Sequence, residues 1–515
     1  MSSTILWADD EIELLKPHIL FLEEKGYKVI TVTSGNDALD VVEENDLDIV
    51  FLDENMPGLS GLETLTQIKA KFPSLPIIMI TKSEEESIME EAIGSKISDY
   101  LIKPVNPKQI LLTIKKNLDE KRLQNEKATV NYQQEFRQIG MRLNDRLDVE
   151  EWKELYRKIV FWDLELAKGD QGMEEVLQMQ KKEANRAFAR FVSDHYESWV
   201  NAKGDDAPVM AHNVFRRKIA PEISDEPMFL IVIDNLRYDQ YLVLKPVLNR
   251  MFRVESESIY FSILPTATQY ARNAFFAGMM PLEIQQKFPK YWLNDEDEGG
   301  KNKFESELLQ EQLKSLGKNI RYSYNKITNL NAGKKLSDQL SNLENNQLNV
   351  IVYNFVDMLS HARTDMEVIR ELADDEAAYR SLTLSWFEHS PLLDMMRQIS
   401  ERGHRMMLTT DHGTMHVDNP VRVVGDRNTS TNLRYKQGKN LSYDAGEVFE
   451  VSDPHRLKLP KTNVSSRYVF CRENDFFVYP NNQNYYVNYY RNTFQHGGVS
   501  LEEMMIPLAS FRKRT

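Results

Sequence analysis

Five times along this chain a short, largely apolar run stops on an aspartate. The runs are Ile5–Ala8 before Asp9-Asp10, Ile49–Leu52 before Asp53, Met228–Ile233 before Asp234, Asn349–Val356 before Asp357, and His404–Thr410 before Asp411. None shows the strict polar alternation of a strand with one wet face. A continuous apolar run of about four to eight residues reads as a strand covered on both faces, and such strands belong to parallel sheets. Ligands of parallel sheets gather at the carboxyl ends of the strands. The pattern therefore predicts an α/β protein with its chemistry at the strand tips.

At 515 residues the chain is too long for one core, and its size suggests about three domains. With 64 Lys+Arg against 78 Asp+Glu, the net charge of -14 argues against general electrostatic binding to nucleic-acid backbone. A local basic pocket for a small phosphate ligand is compatible with it. The single cysteine, Cys471, excludes an internal disulfide framework and suits a reducing compartment. The N-terminus lacks a basic segment followed by a long apolar one, and no apolar run is long enough to span a bilayer. The expectation is a cytoplasmic protein with no membrane partner.

Over the first ~120 residues, strands alternate with helices, as expected for a doubly wound sheet. Glu11–Lys25 has helical spacing, and Val29–Val32, Ile77–Ile80 and Tyr100–Ile102 are further strands. Asp9-Asp10, Asp53, Thr81 and Lys103-Pro104 end the first, third, fourth and fifth strands. Three converging carboxylates need a hard cation between them, and an oxygen-rich site suits magnesium. A lysine and a threonine opposite could hold the oxygens of a phosphoryl group on one carboxylate.

With FLDENMPGLSG around Asp53 and DYLIKP at residues 99–104, this stretch resembles the flavodoxin-like receiver domain of response regulators. The resemblance implies that Asp53 is the phosphoacceptor and that Asp9, Asp10, Asp53 and the carbonyl of Asn55 hold one magnesium ion. It implies further that Thr81 and Lys103 sense the phosphate, that Tyr100 is the switching aromatic, and that a sensor histidine kinase is the partner.

Between residues 121 and 205 the spacing is helical, through VNYQQEFRQIGMRLNDRL, WKELYRKIVFWDLELAK and MEEVLQMQKKEANRAFARFVSDHYESWV. This predicts a helical bundle or relay of about three helices, with a turn at Gly169 and Gly172. NAKGDDAP, residues 201–208, reads as a linker, and NDEDEGGKNK, residues 294–303, as a surface loop.

Residues 206–515 hold the other three aspartate-tipped strands, joined by His361, His412 and His496. Asp357 and His361 share one face if a helical turn begins there. Three carboxylates and three imidazoles favour zinc or manganese over magnesium alone, and six ligands suit two metals about 4 Å apart. Thr268 offers a hydroxyl near a helix N-terminus, where a phosphoryl group is favoured. Arg272 follows one turn later as a phosphate contact. His389, His404 and His455 have no partners at ligand spacing, and the tyrosines around Tyr485–Tyr490 read as sheet packing in preference to the alternative, a base-stacking platform.

The motifs IDNLRYD, PTATQYARNAFFAG, FVDMLSH, TTDHG and HGGVSLEEMMIP make this region similar to the alkaline phosphatase superfamily, closest to its PglZ-type branch. That fold has a central, mostly parallel sheet. The resemblance implies two zinc ions, one held by Asp234, Thr268, Asp411 and His412 and the other by Asp357, His361 and His496, with Thr268 as nucleophile. A threonine ten residues before Gly278 points to the nucleotide phosphodiesterase branch, with Thr266 the alternative nucleophile.

The joined order resembles a family of Bacteroidetes response regulators tied to type IX secretion. The resulting expectation is a zinc-dependent phosphodiesterase acting on a nucleotide or oligonucleotide phosphodiester, controlled through Asp53 and forming a homodimer on phosphorylation. Two other readings stay open. One is a metal-stabilised interaction module that binds a transcription or secretion factor; the other is a phosphomutase or phosphotransferase.

Overall fold

The computed structural model describes residues 3–514 except 73–74, 83–96, 168–172, 205, 296, 366–374 and 427–428, with only the backbone of 119–130 and 362–365. The expected turn at Gly169 and Gly172 lies outside the described residues. The chain forms two compact units, Met1–Gln133 and Gln134–Thr515.

In the first unit, strands β1 (Thr4–Ala8), β2 (Lys28–Val32), β3 (Ile49–Asp53), β4 (Ile77–Thr81) and β5 (Asp99–Ile102) form one sheet in the order β2-β1-β3-β4-β5. Every pairing is parallel. Ile5, Trp7, Phe51 and Ile78 pack on one face of it, and Leu6, Ala8, Val50, Leu52 and Ile77 on the other. Alternate residues thus feed two cores, which is why the runs are apolar throughout. The helix Gly61–Lys71 that follows β3 starts at a capping box between Ser60 and Glu63. Strand order reverses between β1 and β3, so the tips bearing Asp9 and Asp53 face the crevice where such sheets bind ligands.

One helix, Pro107–Leu143, runs across position 120 without a break. Helices Val149–Leu166 and Glu174–Asn201 belong to the second unit. Phe188 stacks on Phe261 with ring centroids 6.2 Å apart, and the Leu264 N–H donates to the Tyr196 hydroxyl at 2.7 Å. The second helix therefore grips the loop that leads to Thr268.

The main sheet of the second unit contains β6 (Met228–Ile233), β7 (Phe252–Phe261), β8 (Tyr322–Ile327), β9 (Leu348–Tyr353), β10 (Arg405–Thr409) and the C-terminal strand Met505–Lys513. Strands β10, β6, β9 and β8 are parallel neighbours in that order, while the C-terminal strand and β7 close one edge antiparallel. All six residues of β6 are buried, as are all six of β9. Register pairs Val232 with Thr409 and Ile233 with Tyr353, so Asp234, Asn354 and Asp411 leave the sheet side by side.

Two expectations change here. The run expected to continue to Val356 stops as a strand at Tyr353, and Phe355 already opens the helix Phe355–Asp365. Asp357 thus sits in the first turn of a helix, not on a strand tip. The tyrosines expected in sheet form the helix Gln483–Tyr490, which buries none of its residues. No helix among the described residues is long and apolar enough to cross a membrane.

Candidate functional site

At the first unit's crevice, Asp9 and Asp53 are buried, and Asp9, Asp10 and Asp53 can bring ligand oxygens within 4.8 Å of one another. The Lys103 ammonium lies 2.8 Å from Asp9 Oδ2 and 2.8 Å from Asp53 Oδ1. Burial raises the Asp53 pKa, with the Lys103 hydrogen bond opposing and Asp9 reinforcing the shift. Burial alone would lower the Lys103 pKa, but hydrogen bonds to Asp53 and Asp9 outweigh it, and the net shift is upward. The lysine stays charged among carboxylates that carry a surplus of negative charge, which is the electrostatic setting for a divalent cation. The Thr81 hydroxyl donates to Glu54, a residue the sequence did not single out. Tyr100 lies on β5 and is 40% exposed, and Asn55 follows directly after Glu54.

The second site is built on β6, β10 and the helices that follow Ala267 and Asn354. Thr268 is the first residue of the helix Thr268–Ala277. Its Oγ1 lies 3.3 Å from Asp234 Oδ1 and 3.1 Å from His412 Nε2. Asp234, Asp411 and His412 are buried and bring their ligand atoms together, and Asp357, His361 and His496 form a second such group. The His412 and His496 rings stack with centroids 4.4 Å apart, joining the two groups. His361 Nε2 is 3.6 Å from Asp357 Oδ2, one helical turn apart as their spacing predicts, and His496 Nε2 is 3.7 Å from Asp357 Oδ1.

Burial, reinforced by Asp411 and opposed by Arg272 and His412, raises the Asp234 pKa to about 6. Burial, and then Asp234, raises that of Asp357. His496 is held well below its usual range by burial and by the two neighbouring histidines, so it is neutral with a lone pair to give. Asp411 Oδ2 is buried and accepts no hydrogen bond. Buried carboxylates, the neutral His496 imidazole and the unsatisfied Asp411 oxygen fit divalent metal ions.

Thr266 has a different task. Its Oγ1 donates to the Gly498 carbonyl at 2.8 Å and accepts from the Gly497 N–H at 3.0 Å, and its own carbonyl faces His496 Nδ1 at 3.2 Å. It braces the turn that presents His496. Arg272 also differs from expectation. Its guanidinium lies 2.6 Å from Asp234 Oδ2 and 2.5 Å from Glu305 Oε1, fully buried, so it is committed to carboxylates.

Sequence reasoning missed Asn354, which donates to Asp234 Oδ2 at 2.9 Å, and Asn235, whose Nδ2 lies 3.4 Å from Asp357 Oδ1. Asn235 adopts φ 64°, a conformation asparagine tolerates better than most residues, and its place directly after a strand-tip aspartate was the available signal. Glu305 came from a distant helix with no signal at all.

A family model described as the BREX system PglZ alkaline phosphatase-like domain matches residues 214–511. The chain belongs to the PglZ family. Ahead of the PglZ domain, the response regulator receiver domain model matches residues 5–115 and the PorX response regulator linker domain model residues 122–200. The order is that of a PorX-type response regulator with a PglZ effector. Solved structures similar to the chain include a CheY-like receiver from Methanospirillum hungatei, at 28% identity over 23% of this chain and 96% of that one, TM-score 0.23. A receiver from Clostridium thermocellum is 31% identical over 24% of this chain and 98% of its own, TM-score 0.23. CheY4 of Vibrio cholerae is 27% identical over 23% of this chain and 100% of its own, TM-score 0.22.

Proposed function

We propose that the PglZ domain is a metal-dependent phosphodiesterase acting on nucleotide phosphodiesters, and that phosphorylation of Asp53 controls it. The observation that carries this reading is Thr268 Oγ1, at a helix N-terminus, within 3.3 Å of Asp234 Oδ1 and 3.1 Å of His412 Nε2. A hydroxyl there meets backbone donors and the positive end of the helix dipole, which suit a phosphoryl group.

Two zinc ions would be held by Asp234, Thr268, Asp411 and His412 and by Asp357, His361 and His496. When bound, they would supply Lewis acidity, a lowered pKa for the hydroxyl and for water, and charge to stabilise the leaving oxygen. The chain's own contribution starts with the Thr268 proton, which points at Asp234 Oδ1. Thr268 Oγ attacks phosphorus in line as its proton passes to Asp234 Oδ1; a new O–P bond forms as the P–O bond to the leaving group breaks, and the departing oxygen takes a proton from water. Water then cleaves the phosphothreonine and returns the hydroxyl. Arg272 and Asn354, both on Asp234 Oδ2, leave Oδ1 aimed into the site.

In the receiver, Asp9, Asp10, Asp53 and the Asn55 carbonyl would hold magnesium, and a sensor histidine kinase would supply the phosphoryl group. A phosphoryl group adds roughly -1.5 to -2 charge at Asp53. Lys103 already sits there, and Thr81 would leave Glu54 to bond the new oxygens, with Tyr100 following inward. That change reshapes the receiver face through which such domains pair, so the output state is a homodimer in which hydrolysis regulates type IX secretion in the cytoplasm. With magnesium and beryllofluoride, light scattering should report a doubling of mass, and diester turnover should change with it. Asp53→Ala should abolish both effects. An unchanged mass and rate with beryllofluoride bound at Asp53 would overturn control by pairing.

A further inference from the structure

We propose that the helix Gln483–Tyr490 is a base-stacking platform that holds the single-stranded flank of an oligonucleotide whose phosphodiester enters the PglZ site; this rests on the phosphodiesterase reading. The helix has the sequence QNYYVNYY and buries no residue. Tyr485 is 63% exposed and Tyr486 38%.

Four rings form one ordered cluster. Tyr485 stacks with Tyr489 at 6.0 Å between centroids and 15° between planes, and Tyr486 with Tyr490 at 6.2 Å and 10°. Tyr485 meets Tyr486 edge-on at 5.3 Å, and Tyr489 meets Tyr490 at 4.9 Å. The stacked pairs are one helical turn apart, so each braces the other against rotation. Tyrosines fixed in this way lose little entropy when a flat group lies on their outer faces. Val487 and Tyr490 anchor the helix against Met415, Val417, Phe476 and Val478.

The helix is also joined to the site. Met415–Val417 pairs antiparallel with Thr493–Gln495, with Met415 opposite Gln495 and Val417 opposite Thr493. The Met415–Gln495 end leads directly to His412 on one side and His496 on the other. The Val417–Thr493 end carries the tyrosine helix, since the Asn492 N–H donates to the Val417 carbonyl at 2.7 Å. Two residues of strand, about 7 Å, separate the two ends. The ribbon thus ties the tyrosine helix at one end to the turns that carry His412 and His496 at the other.

Charge favours the same occupant. From Phe476 to Leu501 there is no Asp or Glu, in a chain with 78 acidic residues among 515, while Arg491 and His496 lie within the stretch. Arg491, whose Nε donates to the Asp418 carbonyl at 3.3 Å, sets a cation at the end of the tyrosine helix, where a phosphate could meet it. Stacking on aromatic faces is indifferent to base identity, so the platform would select single-stranded oligonucleotides over small diesters without reading sequence.

The test uses the full-length, metal-loaded protein with Tyr485→Ala/Tyr486→Ala and Tyr485→Phe/Tyr486→Phe double variants. Substrates are fluorescein-labelled hexathymidylate and hexauridylate, against bis(4-nitrophenyl) phosphate, with anisotropy reporting binding independently of turnover. The alanine variant should raise oligonucleotide KM and Kd about tenfold or more. Its kcat and its kinetics on the small diester should be unchanged, and the phenylalanine variant should restore wild-type values. Equal losses on both substrates, or none on either, would overturn the platform. If the wild type cleaves the small diester but neither binds nor cleaves the oligonucleotides, the platform falls and the phosphodiesterase reading stands. If it cleaves no diester and binds no oligonucleotide, both fall. Loss of dimer mass in the alanine variant with unchanged oligonucleotide binding would assign the tyrosines to a protein partner and overturn the proposal.

Discussion

Replacing Thr268 with valine should lower kcat on a diester by about 10³-fold or more, because it deletes the oxygen proposed to attack phosphorus while nearly preserving volume. Stability should change little. Thr268 is only partly buried, and the lost contacts to Asp234 and His412, at 3.3 Å and 3.1 Å, are long hydrogen bonds worth about 1 kcal/mol or less. Thr266→Val is the discriminating control. That hydroxyl is fully buried and serves both the Gly498 carbonyl and the Gly497 N–H. Its removal strands two backbone groups and should cost about 1–3 kcal/mol of stability, with activity falling only as far as the His496 turn is disturbed. Steady-state kinetics alongside urea titrations separate the two variants. A Thr268→Val protein that keeps wild-type kcat, or a Thr266→Val protein that is stable yet inert, would reassign the nucleophile.

Purified protein should carry about two transition-metal ions per chain, and their affinity should depend on pH in a particular window. Metals bind deprotonated ligands, so they compete with whatever protons the metal-free site holds. Asp234, raised to about 6, is protonated below that pH and free of its proton above it. His496 is depressed and stays neutral well below its ordinary range, so it adds no competition there. Affinity should therefore level off above about pH 7 and fall about tenfold per pH unit below about 6. At metal concentrations a thousandfold above Kd, each site should add about 4 kcal/mol of stability, lost on chelation. Elemental analysis and competition with a chromophoric chelator between pH 5 and 8 measure this. A protein without metal at neutral pH, or with an affinity flat from pH 5 to 7, would refute the ligand set.

The strand-tip aspartates were legible because a strand buried on both faces has no reason to be polar until it ends. Asp9, Asp53, Asp234 and Asp411 all follow from that single rule. Asp357 was found by the same rule but misplaced. Asn354 breaks the apolar run in a way that composition alone does not separate from a strand residue such as Asn349, itself buried in β9. Asp357 and His361 still came out on one face because their spacing is helical. What the sequence concealed were partners fixed only by tertiary packing. The Arg272 guanidinium meets Glu305, 33 positions away in the chain, and periodicity carries no information at that range. The tyrosines misled for a related reason. Their β propensity is high, yet neighbours across an i, i+4 helical turn stabilise them here.

The short ribbon of Met415–Val417 and Thr493–Gln495 has a further meaning for how this effector holds together. Everything between its two arms, including the three-stranded sheet of Tyr435–Gly438, Val448–Val451 and Arg467–Cys471, leaves the main sheet just after His412 and returns just before His496. Those two imidazoles are the gateposts of one long excursion. Metal ions held by the two neighbouring ligand groups would act as a clasp, shortening the loop that an unfolded chain would have to close. The excursion can then vary in length and shape at small cost, as a purse may change size beneath the same fastening. If the sites fill with metal, folding of the excursion and metal binding would be linked, each favouring the other.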